Sequence, residues 1–304
     1  MTTASGSTIK RDHEKVKVSG FTIVRNVITY DYPVVESILS VLPLCDEFIV
    51  SVGQSDDDTL RLINMISTDK MKIVESVWDD SLREGGKVLA AETNKAFAAV
   101  SQDSDWAFYI QADEVIHEDD LPAIKEAMLK YKDDIEVDGL LFNYKHFYGS
   151  FDYIGTARQW YRKEIRVIKN NTSISSYRDA QGFRKNGAKL KVKQVNATIY
   201  HYGWVKPPAA QQAKQRSFHK MWHDDEWMKK NIPLVDEFDY SKIDALEHFK
   251  GKHPGLMTSR IEASNWKFSF DPTQKELSPT QKILMFIEKK IGWRIGEYKN
   301  YKIC

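Results

Sequence analysis

The chain is poor in cysteine: Cys45 and Cys304 are the only thiols in 304 residues. Two thiols cannot make the disulfide framework of a small secreted domain, so an apolar core has to hold the fold. Cys45 reads as a small buried hydrophobe and Cys304 as a terminal thiol. Long apolar runs are lacking as well. The longest, such as residues 283–287 (ILMFI), fall far short of the ~20 residues that a membrane helix needs. Residues 1–18 are polar, mixed in charge and without an apolar stretch of signal-peptide length, so a cytoplasmic location is expected. Neither sign of charge dominates. A net charge of +1 removes the whole-chain attraction to nucleic acid that a strongly basic protein has. Internal repeats and low-complexity tracts are also missing. With 42% hydrophobic and 12% aromatic residues the chain is too apolar to be disordered, and its length allows one large domain with an appendage.

The net charge conceals a segregation along the chain. Asp31 to Asp58 carries seven acids and no Lys or Arg, and Gln102 to Asp138 carries twelve acids against three lysines. Thr156 to Asn196 reverses the balance, with eleven Lys and Arg against Glu164 and Asp179. Solvated faces explain part of this. A site that holds a cation against a phosphate ester would use both kinds, carboxylates for the metal and basic side chains for the anion.

The first half alternates strand and helix signals. Residues 18–25 (VSGFTIVR) are rich in β-branched residues and predict a strand. Asp31-Tyr32-Pro33 predicts a helix start, with Asp31 as the capping acid, before Val34, Val35, Ile38, Leu39 and Leu42 at helical spacing. Further strands are expected at 47–52, 72–77, 106–111 and 139–147, and further helices from Leu60, over 87–100 and over 121–131. Residues 106–111 (WAFYIQ) are continuously apolar up to Gln111, as in a strand buried on both faces. Repeated β-α units imply a mostly parallel sheet flanked by helices, with ligands beyond the carboxyl ends of the strands. In the second half, 164–169 and 190–202 predict strands, 209–230 one long polar-aromatic helix and 281–290 an amphipathic helix. The division expected is a polar segment 1–17, a main α/β unit 18–204 and a mostly helical extension 205–304.

The most informative stretch is 105–118 (DWAFYIQADEVIHE). It ends a hydrophobic strand on Asp113 and Glu114, an acid pair that solvent, hydrogen bonds or a cation must satisfy. DWAFYIQADEV resembles the strand-end motif of GT-A-fold glycosyltransferases of the family 2 type, which reads D-x-D followed by Glu. VSGFTIVRN, FIVSVGQSDDDT and GGKVLAAETNKAF resemble, in order, the opening strand, the second strand with its acidic turn, and the stretch before the metal motif. The similarity covers 18–148 and continues loosely to about 204. Two departures stand out. Position 111 holds Gln, which offers a carbonyl oxygen and no charge. Val52-Gly53 stands where an acid usually ends the second strand, and Asp57 matches the later acid of that turn.

The resemblance implies an α/β, GT-A-type Rossmann-like sheet and a metal-dependent, inverting transferase. Its partners would be a nucleotide-sugar donor and a glycan or lipid-linked acceptor. Asp113 would hold Mn2+ or Mg2+, and His201, flanked by Tyr200 and Tyr202, would be a late ligand or a structural histidine. Arg25, Asn26, Ser55, Asp57, Lys87, Asn94 and Gln111 would surround the donor. The cation would offset the charge that gathers on the departing diphosphate. A carboxylate on the opposite face would deprotonate the acceptor. Asp179 is the first candidate base, with Arg178, Arg184 and Lys185 expected to keep it ionised, and Glu114 is the alternative. His219 and His223 lie four apart on a helix, suiting either zinc or an aromatic face. Lys214 and Arg216 on the same helix are candidates to meet donor phosphate. The 281–301 tail, with Lys282, Lys289 and Lys290, suits packing on the main domain or peripheral contact with an anionic membrane surface. Two other classes stay open. A non-catalytic nucleotide-sugar-binding homologue would account for Gln111. A sugar nucleotidyltransferase would need a Gly-rich loop after the first strand, where 24–27 (VRNV) has no glycine.

Overall fold

In the computed structural model, residues 15–273, 277–292 and 294–304 are described, so residues 1–14 of the expected polar segment lie outside the described residues. Four strands form a parallel block in the order β3-β2-β1-β4: β1 (Val18–Val24), β2 (Glu47–Gly53), β3 (Met71–Ser76) and β4 (Trp106–Tyr109). Helices α1 (Val34–Val41), α2 (Thr59–Asn64) and α3 (Lys87–Ala98) connect them. The chain then adds β5 (Glu114–Ile116), α4 (Leu121–Tyr131), β6 (Gly139–Tyr148), β7 (Ser150–Gly155) and β8 (Lys163–Lys169). A separate three-stranded sheet of β9 (Ile174–Tyr177), β10 (Gly182–Lys185) and β11 (Ala188–Lys189) precedes the long β12 (Lys191–Trp204). The last third holds α5 (Pro208–Lys220), α6 (Asp225–Asn231), β13 (Leu246–His248), α7 (Thr258–Glu262), α8 (Pro279–Ile291) and β14 (Lys302–Ile303).

The mostly parallel α/β architecture expected from the sequence is the one observed. β8 is inserted antiparallel between β4 and β6, and β12 runs parallel to β6. The carboxyl ends of β1, β2, β3, β4, β6 and β12 therefore share one edge of the sheet. Alternation explains why the strands read as continuous apolar runs. Trp106 and Phe108 of β4 join the core under α1 and α4, while Ala107 and Tyr109 join the core under α3 and the small sheet.

Two expectations are corrected. Asp31 does not cap α1; it takes the left-handed backbone (φ 46°) and pairs with Arg260 at 2.6 Å. The single helix over 209–230 is two, because Asp224 caps a new helix through a 2.8 Å bond from Trp227 N. Beside its helices the 205–304 extension carries two short strands: β13 pairs with β7 and β14 with β12, so it returns to the main sheet. Among the described residues no helix is long and apolar enough to cross a membrane.

Candidate active site

The shared strand edge opens into a cavity of about 510 Å³. Arg25 enters it just after β1, Trp78 after β3, Gln111 and Asp113 after β4, His146 from β6 and His201 from β12. Helix α5 closes one side with Lys214, and the loop before β10 closes another with Asp179. Arg25, Gln111, Asp113, Asp179, His201, Lys214 and His219, seven of the candidates named from sequence, are thus brought together.

Asp113 is the floor of this cavity. Its Oδ2 lies 3.1 Å from Lys214 Nζ and 3.6 Å from His201 Nε2. Burial alone would raise its carboxyl, yet the Lys214 ammonium, with Lys206 behind it, outweighs that and holds it well below the ordinary carboxylate range. Gly203 permits this approach, since a Cβ there would meet Asp113 Oδ2 at 2.6 Å and His201 Nε2 at 2.7 Å. Behind His201 stands His146, with Nδ1 of each ring 3.2 Å apart, and His146 Nε2 lies 2.8 Å from Tyr161 O. A carbonyl only accepts, so His146 Nε2 carries its proton. Burial lowers both rings toward the neutral form. His146 Nδ1 is then bare and accepts from His201 Nδ1–H, which leaves His201 Nε2 as a lone pair facing the Asp113 carboxylate.

Two acceptors converging without a hydrogen between them fit a cation. Among the described residues no group of three or more His, Cys, Asp and Glu forms a full metal cage. A cation here could take one oxygen donor from Asp113 and one nitrogen donor from His201. Substrate phosphate and water would complete the sphere, as is usual for Mg2+ at phosphate sites, and the imidazole favours Mn2+ over Mg2+. Lys214 also donates to Gly203 O at 2.8 Å, so two of its three N–H groups are used and one is left for an anion.

Glu114 does not reach the cavity. It is fully buried, receives Arg166 Nε at 2.7 Å and Nη2 at 2.6 Å, and also accepts from Tyr144 OH and from Gln111 N at 3.1 Å. Arg166, equally buried, completes its fork on Ile165 O (2.8 Å), Gln181 O (3.0 Å) and Gln111 Oε1 (3.5 Å). The Gln at 111 is therefore part of this fork. Glu114 is spent on position, which removes the reason for reading it as a base. Nearby Glu164 is pushed by burial from 4.5 up to about 7, against Arg166. The folded chain keeps a proton that the unfolded chain sheds. Stability from this group is therefore full below pH 4.5 and is lost as the pH rises toward 7. Glu164→Gln is expected to stabilise the protein by on the order of 3 kcal/mol at pH 8 and by nothing at pH 4, measured by urea unfolding.

Asp179 stands on a strained loop. Arg178 and Ala180 on either side take left-handed φ values of 55° and 59°. Its Cβ lies 2.9 Å from where a Cβ on Gly86 would be, so glycine before α3 makes room for it. The expected neighbours do not surround it: Lys185 pairs with Asp138 at 2.7 Å and Arg184 turns to Asn300 O and Tyr298 OH. Burial instead raises the Asp179 carboxyl, with Arg178 and Arg166 acting against it.

The remaining candidates, and Arg25 in the cavity, are also bonded within the fold. Arg25 is held by Asp80 at 2.6 Å and lies over Trp78 at 5.5 Å. Asn26 and Ser55 bond one another's loops, with Asn26 N donating to Ser55 Oγ at 3.0 Å and Asp56 N to Asn26 Oδ1 at 2.7 Å. Asp57 accepts from Ile28 N and Thr29 N. Lys87 pairs with Glu84, and Asn94 accepts from Ser176 N at 2.7 Å. Of these, Asn26 borders a second cavity of about 530 Å³, which shares Arg25 and Tyr30 with the first. His223 stacks on Trp227 and on His219, whose ring is tilted against the same indole, which is the aromatic-face alternative. Sequence reasoning passed over His146, Arg166 and the buried Lys206. Only His146 had a local signal, a histidine inside a largely apolar and aromatic strand.

No protein-family model matches the chain, and no curated protein does. Among solved structures it is similar to TarS of S. aureus (TM-score 0.39, 14% identity, 73% of this chain and 41% of TarS). It is also similar to glucosyl-3-phosphoglycerate synthase of Mycobacterium tuberculosis in complex with Mn2+, UDP and glucosyl-3-phosphoglycerate (0.28, 21%, 49% of this chain and 50% of that one). A third is 4-diphosphocytidyl-2C-methyl-D-erythritol synthase of Anaerococcus prevotii (0.37, 14%, 66% of this chain and 96% of that one). The chain spans less than half the length of TarS. All three likenesses have TM-scores below 0.5 and identities of 21% or less. At these identities and TM-scores the likeness carries nothing about activity.

Proposed function

We propose that the chain is a metal-dependent, inverting glycosyltransferase that moves a sugar, of the hexosyl type, from a nucleotide-sugar donor to a hydroxyl acceptor on a glycan or lipid. One observation carries this reading: Asp113 Oδ2 and His201 Nε2 converge at the carboxyl edge of the sheet, and Asp179 lines the same cavity. Asp113 and His201 would hold Mn2+ or Mg2+, which when bound offsets charge on the leaving diphosphate. Lys214 directs its remaining N–H to that diphosphate. Asp179 takes the proton of the acceptor hydroxyl as the acceptor oxygen bonds to the anomeric carbon. The electron pair of the broken bond leaves with the diphosphate oxygen. Gln111 and Arg25 border the donor.

Residues 18–204 form the catalytic unit in this reading, and 205–304 supply its wall through α5. The exposed Ile283, Phe286 and Ile291 of α8, beside Lys289 and Lys290, support peripheral contact with an anionic surface at the inner face of the membrane. This keeps the protein cytoplasmic and its acceptor lipid-linked or glycan in kind. A panel of nucleoside diphosphates and sugar nucleotides, with and without Mn2+ or Mg2+, tests the assignment by thermal shift. A matching nucleotide at 100 times its Kd is expected to add about 2.7 kcal/mol of stability. Asp113→Asn is expected to erase the metal-dependent part. No response to any nucleotide would sink the proposal, and binding without turnover of labelled donor would favour the non-catalytic homologue.

A further inference from the structure

The β6–β12 register places His146 directly opposite His201. A histidine at this position is costly. It is 3% exposed and packed among the rings of Tyr144, Trp160 and Tyr161, where an apolar side chain would carry no desolvation penalty. Both of its nitrogens are used, one on Tyr161 O and one on His201 Nδ1. The carbonyl decides which nitrogen of His146 is protonated, and His146 in turn decides which nitrogen of His201 is.

We infer that His146 is a positioning residue: it accepts the Nδ1 proton of His201 and so keeps the His201 Nε2 lone pair turned to Asp113 and the cavity. The inference rests on the metal-dependent reading for its consequence, while the tautomer itself can be measured without metal or substrate. Without His146 the His201 proton moves to Nε2, where it points at Asp113 and occupies the position a cation needs. The imidazole is then a donor at the place where the site requires an acceptor.

The test uses the full chain, nucleotide-free, with 15N-labelled histidine. Two-bond 15N–1H NMR reads the His201 tautomer, and electron paramagnetic resonance reads Mn2+ binding. The wild type is expected to carry His201 as Nδ1–H. His146→Phe is expected to switch it to Nε2–H and to weaken Mn2+ binding by roughly 10–100-fold, the usual effect of losing such a supporting partner. His146→Gln, whose amide can accept from His201 and donate to Tyr161 O, is expected to keep the tautomer and Mn2+ affinity within a few-fold of wild type. A wild-type His201 found as Nε2–H overturns the inference even if the Phe variant does not fold. So does a Phe variant that retains Nδ1–H or binds Mn2+ as wild type does. A wild type with the expected tautomer, switched in His146→Phe, but with no Mn2+ binding upholds the role of His146 and overturns the metal-dependent reading instead.

Discussion

Asp179→Asn is expected to lower sugar transfer by ~10²–10⁴-fold while leaving nucleotide binding and melting temperature close to wild type. Asn keeps the shape of the side chain and removes only its capacity to take a proton. The loop around it is built for display: two left-handed residues flank it, and Gly86 clears the space on its far side. Such backbone strain persists only where the surroundings enforce it. The pH profile gives a second readout. Burial raises the Asp179 carboxyl, and a base must be ionised to act. The acid limb of the turnover profile should therefore lie above the ordinary carboxylate range and vanish from the residual activity of the Asn variant. Unchanged turnover in Asp179→Asn would assign the proton to another group and leave the loop strain without a catalytic explanation.

The largest loss of stability is expected at Arg166. Arg166→Met should cost ~3–5 kcal/mol, because Glu114 would remain as an unpaired charge with no solvent. For a chain of this size that is a fall in Tm on the order of 10 °C. The cause is specific. All five guanidinium N–H groups have acceptors, and the plane lies between Tyr109 and Tyr144, 5.4 and 5.3 Å from their ring centroids. Those acceptors belong to the turn that carries Asp113 and, through Gln181 O, to the loop that carries Asp179. Arg166→Met/Glu114→Leu should be less destabilised than either single variant, since no buried charge is left over, and calorimetry of the three proteins checks it. Additive losses would show that Arg166 acts through packing alone.

Much of the scaffold was legible because its signals are local. The apolar strands at 18–24, 47–53, 71–76 and 106–109, with helices between them, follow from composition and spacing, and so does the placing of polar residues at strand ends. The turn after β4 was read one step short. Asp113 and Glu114 are neighbours, yet one faces the cavity and the other enters a closed network, because β5 pairs with β12 there and turns alternate side chains to opposite sides. The basic stretch 156–196 suggested an anion site. Five of its eleven cations instead meet acids far away in the chain: Arg158 and Arg162 pair with Glu288, Lys185 with Asp138, Arg166 with Glu114 and Lys191 with Glu136. Charge composition tells how many partners are needed, and only the fold says which pairs form.

The sequence by itself determined the α/β class, the parallel strand block and the acid pair at Asp113, since periodicity and strand-end chemistry are written in short windows, while His201 and Asp179 became candidates through the family resemblance. Tertiary structure alone decided that His146 stands behind His201, that Arg166 neutralises Glu114 and that Lys214 reaches Asp113 from α5. Each of those pairs joins residues 52 to 101 positions apart. Strand register and burial bring them together, and no local spacing encodes either.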